Sequence, residues 1–216
     1  MTDDLLQRLR TYGVVPVVEI DDAEAAAGLA HALSDAGLPV VEVTYRTAAA
    51  EESIRRMRVA VPDLLIGAGT VLDAATARGA AAAGADFLVA PGFNPQVAAA
   101  ATATATALVP GVVTPTEIEA ARAAGFSLLK FFPAVASGGI EMITALSGPY
   151  RDVSFMPTGG VREDSLAEWL ALPAVAACGG TWIAPRDLIS ARDFDLIGRR
   201  AERAAAIARP TTSISQ

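Results

Sequence analysis

Short apolar runs, many of them β-branched, recur along the chain, each closed by glycine, proline or threonine and followed by an alanine-rich stretch. The runs predict strands over Val14–Ile20, Val40–Thr44, Leu64–Ala68, Phe87–Ala90, Leu108–Pro110, Leu128–Phe132, Val153–Pro157 and Ala174–Cys178. Between them the pattern predicts helices near Ala23–Ala36, Ala48–Val61, Ala74–Ala83, Pro95–Ala103, Pro115–Ala124, Ile140–Leu146 and Asp164–Leu170. A last helix covers Phe194–Ala208, and a short one, Asp3–Thr11, precedes the first strand. Continuous apolar strands of about five residues suit a parallel sheet covered on both faces. Ala36-Gly37, Ala83-Gly84 and Ala124-Gly125 each place glycine where a left-handed residue closes a helix.

Eight strands alternating with eight helices, behind a short N-terminal helix, predict an α/β fold, a single-domain (β/α)₈ TIM barrel over residues 1–216. An open doubly wound sheet gives the same alternation. The barrel is favoured because no Gly-x-Gly-x-x-Gly turn follows the first strand and because polar residues end many strands rather than one switch point. There is no internal linker, and the Ser/Thr-rich tail Pro210–Gln216 is expected to fray.

Composition narrows the function. Among 216 residues, 52% are hydrophobic and 19% charged, enough for a large core and too few charges for disorder. A formal net charge of −7 argues against nucleic acid or an anionic membrane as partner, though a local field can still hold a small anion. A lone cysteine, Cys178, allows no internal disulfide and suits a reducing compartment. The acidic start Met1-Thr2-Asp3-Asp4 lacks the pattern of a signal peptide, and the Ala-rich segments are broken before reaching a membrane-spanning length. A cytoplasmic protein is expected. With one histidine, His31, and one cysteine, the usual zinc-ligand sets cannot be built, so no metal is expected.

Of 17 basic residues only Lys130 is a lysine, and it lies in the apolar run Leu128-Leu129-Lys130-Phe131-Phe132-Pro133. Apolar burial can neutralise a lysine amine and make it a nucleophile, whereas arginine stays charged. The alternative is a lysine snorkelling from a strand end to water. Glu42, among Val40, Val41 and Val43, is costly in a buried strand unless paired or used; a purely structural pair with Lys130 is its competing reading. Arg46 can be an ordinary solvated arginine and Thr70 a helix cap. His31 reads as a surface or helix-packing residue, Cys178 as small and buried, and Trp169 and Trp182 as packing. Barrel strands deliver their C-terminal residues to one mouth, which makes the residues following each strand the candidate site.

Four segments occur in order: Val41-Glu42-Val43-Thr44-Tyr45-Arg46-Thr47, Gly67-Ala68-Gly69-Thr70-Val71, Lys130-Phe131-Phe132-Pro133-Ala134 and Pro157-Thr158-Gly159-Gly160-Val161. Together they resemble the 2-keto-3-deoxy-6-phosphogluconate (KDPG) aldolases, class I lyases that also act on 4-hydroxy-2-oxoglutarate. The likeness runs from about Val14 to Ala184. It implies a (β/α)₈ barrel, a homotrimer, no cofactor, and a small anionic 2-keto-4-hydroxy acid as substrate. It implies Lys130 as the Schiff-base residue and Glu42 as general acid/base. Arg46 and Thr70 match binders of the pyruvoyl carboxylate, and Thr158 a contact to the substrate chain. Phe132 and Pro91 match pocket walls. Gly159-Gly160 and Gly179-Gly180-Thr181 match phosphate-holding turns.

Two positions depart from the pattern. Glu19 stands where many members carry an arginine that assists the phosphate, and Val135 stands where others carry a glutamate. Three functions therefore compete: a KDPG aldolase cleaving its substrate to pyruvate and glyceraldehyde 3-phosphate; a lyase of the same mechanism preferring 4-hydroxy-2-oxoglutarate or another unphosphorylated acid; and a non-catalytic sugar-phosphate-binding or assembly barrel.

Overall fold

The computed structural model describes residues 2–209, so the tail Pro210–Gln216 lies outside the described residues. Strands run β1 (Val14–Val18), β2 (Val40–Thr44), β3 (Leu65–Gly69), β4 (Phe87–Val89), β5 (Ala107–Val109), β6 (Gly111–Val112), β7 (Leu128–Phe131), β8 (Ser154–Pro157) and β9 (Cys178–Gly180). Every strand residue is buried, as the unbroken apolar runs require of strands covered on both faces. Most are followed by a helix; in chain order the first eight helices are α1 (Thr2–Tyr12), α2 (Ala26–Asp35), α3 (Ala50–Ala60), α4 (Ala74–Ala83), α5 (Pro95–Ala103), α6 (Pro115–Ala123), α7 (Gly139–Ser147) and α8 (Leu166–Leu170). Three of these helices start where a side chain satisfies their free N–H groups. Asp73 accepts from Thr76 N at 2.8 Å, Asn94 from Gln96 N at 2.9 Å, and Thr114 forms a reciprocal capping box with Glu117. Gly37, Gly84 and Gly125 all have positive φ, as the Ala-Gly pattern predicts.

The strands form a six-stranded parallel sheet, β5-β4-β3-β2-β1-β9, and a three-stranded parallel sheet, β6-β7-β8, rather than the one eight-stranded ladder expected. Pro110 makes one break. The predicted fifth strand, Leu108–Pro110, ends there, and a short strand beyond it was not predicted: Val109 pairs with β4, while Gly111 and Val112 pair with Lys130 and Phe131 of β7. Proline has no N–H to continue the ladder, yet its carbonyl accepts from Lys130 N at 2.8 Å. Gly111 allows the turn-off, since a Cβ there would lie 2.2 Å from the Pro91 carbonyl carbon.

The other break lies before β9. The run Ala174–Cys178 was expected to be the last strand, but its first half bonds to β8 instead. Phe155 N donates to Ala174 O at 2.7 Å and Ala176 N donates to Phe155 O at 2.8 Å. From Cys178 the backbone pairs with β1. Single bridge pairs, Phe155 with Val175 and Thr158 with Gly179, span this seam. Beyond it lies a helix the apolar pattern did not predict, α9 (Arg186–Ala191), before α10 (Phe194–Ala208).

Candidate active site

Glu42 and Lys130 are brought together from different sheets. On β2, Glu42 lies opposite Val17 and Gly67; on β7, Lys130 lies between Gly111 and Met156. Lys130 Nζ donates to Glu42 Oε1 at 3.3 Å. Neither is a snorkelling surface group, for Glu42 is 0% and Lys130 5% exposed. A buried carboxylate is tolerated when an opposite charge and hydrogen bonds replace its water. Here only one oxygen is so satisfied: Glu42 Oε2 is buried and bonds to no described residue.

Room for the carboxylate comes from Gly69, where a Cβ would fall 2.2 Å from Glu42 Oε1. The Phe132 ring lies on the other side, its centroid 5.1 Å from Lys130 Nζ. The amine is thus enclosed by an aromatic wall and one carboxylate, a setting in which it can serve as a nucleophile with an adjacent proton carrier.

The remaining expected residues lie at the C-terminal ends of the strands. Thr70, next to Gly69, is a half-buried non-glycine residue with φ 59°. Its hydroxyl does not cap α4, a role filled by Asp73. A left-handed threonine is rare and marks a position set by its surroundings. Pro91 follows β4 and packs its backbone on Gly111. Thr158 is buried beside Gly179, whose missing side chain makes the space: a Cβ would lie 2.4 Å from Thr158 Oγ1. Gly159 and Gly160 both have positive φ, 96° and 86°, and turn the chain past Phe132 and Val135.

Arg46 stands apart from the buried pair. It borders a cavity of about 270 Å³ with Thr44, Glu19, Thr181, Trp182 and Arg186. Its guanidinium lies 3.7 Å from Glu19, whose other oxygen accepts from Arg186 at 2.6 Å. Arg186 also grips Asp21 with two 2.6 Å bonds, which hold that carboxyl below its usual range and the guanidinium above its own. Glu19, which stands where the family pattern often has an arginine, is faced directly by Arg186. Sequence reasoning missed Arg186, an arginine after Pro185 in a helix no apolar period announced. Gly69 enters that reasoning only as part of a matching segment, with no role of its own, because the predicted third strand ends at Ala68, whereas β3 includes Gly69.

Other expectations are placed simply. His31 is exposed on α2, and Trp169 is buried. Cys178 is buried, and burial pushes its thiol well above the usual value. Among the described residues no group of three or more His, Cys, Asp or Glu could hold a metal ion, and no helix is long and apolar enough to cross a membrane.

Known proteins are similar to this chain over almost its whole length. The pattern described as KDPG and KHG aldolase matches residues 5–200. A 2-dehydro-3-deoxy-phosphogluconate aldolase of Treponema pallidum is 46% identical over 90% of this chain and 91% of its own. The KHG/KDPG aldolase of Escherichia coli is 39% identical over 91% and 92%. A KDPG aldolase of Legionella pneumophila, with pyruvate captured as a covalent carbinolamine, superposes with a TM-score of 0.87 at 37% identity over 91% of this chain and 96% of that one. A KDPG aldolase of Zymomonas mobilis, with 3-phosphoglycerate, does so with a TM-score of 0.89 at 35% identity over 97% and 99%. The family match over residues 5–200, with a relative 46% identical over 90% of the chain, makes this chain a member of the KDPG and KHG aldolase family, a family of carbon–carbon lyases.

Proposed function

We propose that this protein is a class I aldolase that cleaves KDPG to pyruvate and glyceraldehyde 3-phosphate, with Lys130 as nucleophile and Glu42 as proton carrier. The observation that carries the reading is the 3.3 Å contact between these two groups inside an apolar enclosure. The Lys130 amine adds to the C2 ketone, giving a carbinolamine, and loss of water gives an iminium. That iminium draws in the electron pair of the C3–C4 bond as Glu42 removes the C4 hydroxyl proton, releasing the aldehyde. Protonation of the enamine at C3 and hydrolysis return pyruvate and free amine. One carboxylate can serve every step because each moves the proton opposite to the one before.

Arg46 and Thr70 take the pyruvoyl carboxylate in this reading, since guanidinium matches a carboxylate with two parallel donors. Thr158 meets the substrate chain, and Phe132 and Pro91 wall the pocket. Gly159-Gly160 and Gly179-Gly180-Thr181 hold the phosphate through backbone N–H groups, the usual device in barrels. The two sheets then act as one eight-stranded (β/α)₈ barrel, bridged at Pro110 and at Thr158–Gly179. A homotrimer in the cytoplasm completes the reading; sedimentation analysis tests the trimer.

A second substrate, 4-hydroxy-2-oxoglutarate, is supported by the double name of the Escherichia coli relative. It presents the same carbons C1 to C4 to the same groups and ends in a C5 carboxylate, with neither the C5 hydroxyl nor the C6 phosphate. Comparing cleavage rates of the two substrates ranks them.

The decisive experiment is borohydride reduction in the presence of pyruvate. Lys130 is the sole lysine, so one reduced adduct is expected, located by mass in the peptide containing Leu128–Pro133. No adduct, or one on the N-terminal amine alone, overturns the Schiff-base mechanism.

A further inference from the structure

Glu19 is placed with unusual firmness for a residue at the edge of a cavity. Its two neighbours in the chain are both fixed by the segment that carries Arg46. The Thr44 hydroxyl donates to Val18 O at 2.9 Å, and the Thr47 hydroxyl donates to Ile20 O. The Glu19 backbone is thereby fixed relative to the segment that carries Arg46, and its carboxylate lies between two guanidinium groups. The two contacts are unequal. Arg186 holds one oxygen at 2.6 Å, while Arg46 stands 3.7 Å from the other, too far for a hydrogen bond of ordinary geometry. Asp21 secures Arg186 from the far side with its two bonds.

We infer that Arg186 is a positioning residue for the carboxylate end of the substrate: by engaging Glu19 it keeps that side chain from closing on Arg46, and so leaves Arg46 to an incoming 2-oxo acid. The inference rests on the assignment of Arg46 to the pyruvoyl carboxylate. Glu19 and a substrate carboxylate offer Arg46 the same chemistry, and the protein's own carboxylate is present at every substrate concentration. Without Arg186, Glu19 has one cation left within reach. It turns to Arg46, and substrate must displace it. The effect falls on substrate affinity rather than on turnover of bound substrate, because neither Glu19 nor Arg186 touches Lys130.

The test reads pyruvate, which has a carboxylate and no phosphate, through borohydride labelling of Lys130 as a function of pyruvate concentration. Arg186→Gln is expected to raise the pyruvate concentration giving half-maximal labelling by about two- to fivefold, the range an exposed ion pair commands, with the same plateau. Arg186→Lys retains a cation for Glu19 and is expected to lie near the unaltered protein. Adding Glu19→Gln to Arg186→Gln removes the competitor and is expected to restore the original half-saturation. An unchanged half-saturation in a folded Arg186→Gln protein overturns the inference, as does a rise that Glu19→Gln fails to relieve. If only the Michaelis constant for phosphorylated substrate rises, Arg186 meets the phosphate directly, and the inference is likewise overturned. Unaltered protein that takes no label at all overturns the aldolase reading and this inference with it; the preceding outcomes overturn the inference alone.

Discussion

Gly69 and Glu42 occupy a shared space: the carboxylate oxygen that bonds Lys130 fills the place where any larger residue at position 69 would put its Cβ, 2.2 Å away. The backbone of β3 is thus the floor on which the carboxylate rests. Gly69→Ala is expected to push the carboxylate off the amine, lowering turnover more than tenfold and costing about 1–3 kcal/mol of stability through overpacking. Steady-state rates and thermal melts measure both. Wild-type turnover in Gly69→Ala would show that the contact between Glu42 and Lys130 is incidental.

Glu42→Gln preserves the shape of the side chain while removing its ability to exchange protons. Turnover is expected to fall by about 10²–10⁴-fold, with the fold retained. The discriminating comparison is with Arg46→Ala, where the loss is expected mainly in the Michaelis constant. Near-normal turnover in Glu42→Gln assigns the proton transfers to another group.

Tyr45 gives a pH-dependent prediction. Its hydroxyl is buried without a described partner, and burial pushes its pKa up to about 12. Above about pH 10 the unfolded chain releases this proton while the folded one retains it. The unfolded state then binds fewer protons, so stability falls as pH rises toward 12. Tyr45→Phe is expected to remove that alkaline loss. Near neutral pH it is expected to gain about 1 kcal/mol from no longer burying an unpaired hydroxyl. Urea titrations at pH 7 and pH 11 measure it; an equal alkaline loss in the variant assigns the effect elsewhere.

Cys178 lies within β9 with its thiol raised by burial. Iodoacetamide at pH 7.5 is expected to leave it unmodified in the folded protein and to modify it on unfolding in urea, because the thiolate is the reacting form. Rapid modification under native conditions contradicts the buried placement.

Much of this structure was legible in the sequence because periodicity reports burial, and burial decides the strands. The apolar runs placed β1 to β4, β7 and β8 within a few residues, and the Ala-Gly pairs marked helix ends. Lys130 and Glu42 could be singled out because a charge inside an apolar run contradicts its surroundings. Arg186 contradicts nothing around it, being an exposed arginine between Pro185 and Asp187 at the start of a helix, and its importance arises only when Glu19, 167 residues away in the chain, is folded against it. The split at Pro110 was visible as a proline, but whether a proline ends a strand or hands it to a second sheet depends on tertiary pairing. Ala174–Cys178 failed for a similar reason, since an apolar run does not say which neighbour each half will bond.

Pro110 also determines when in assembly the chemistry becomes available. The proposed acid and the proposed amine grow up in separate sheets, 88 residues apart in the chain, and share an environment only once those sheets meet. Each sheet keeps its own hydrogen-bond ladder, so parting at Pro110 and at the seam before β9 would separate proton donor from nucleophile while leaving both ladders intact. Activity in this molecule is then a sensor of closure, expected to vanish under mild denaturation before the helical signal declines.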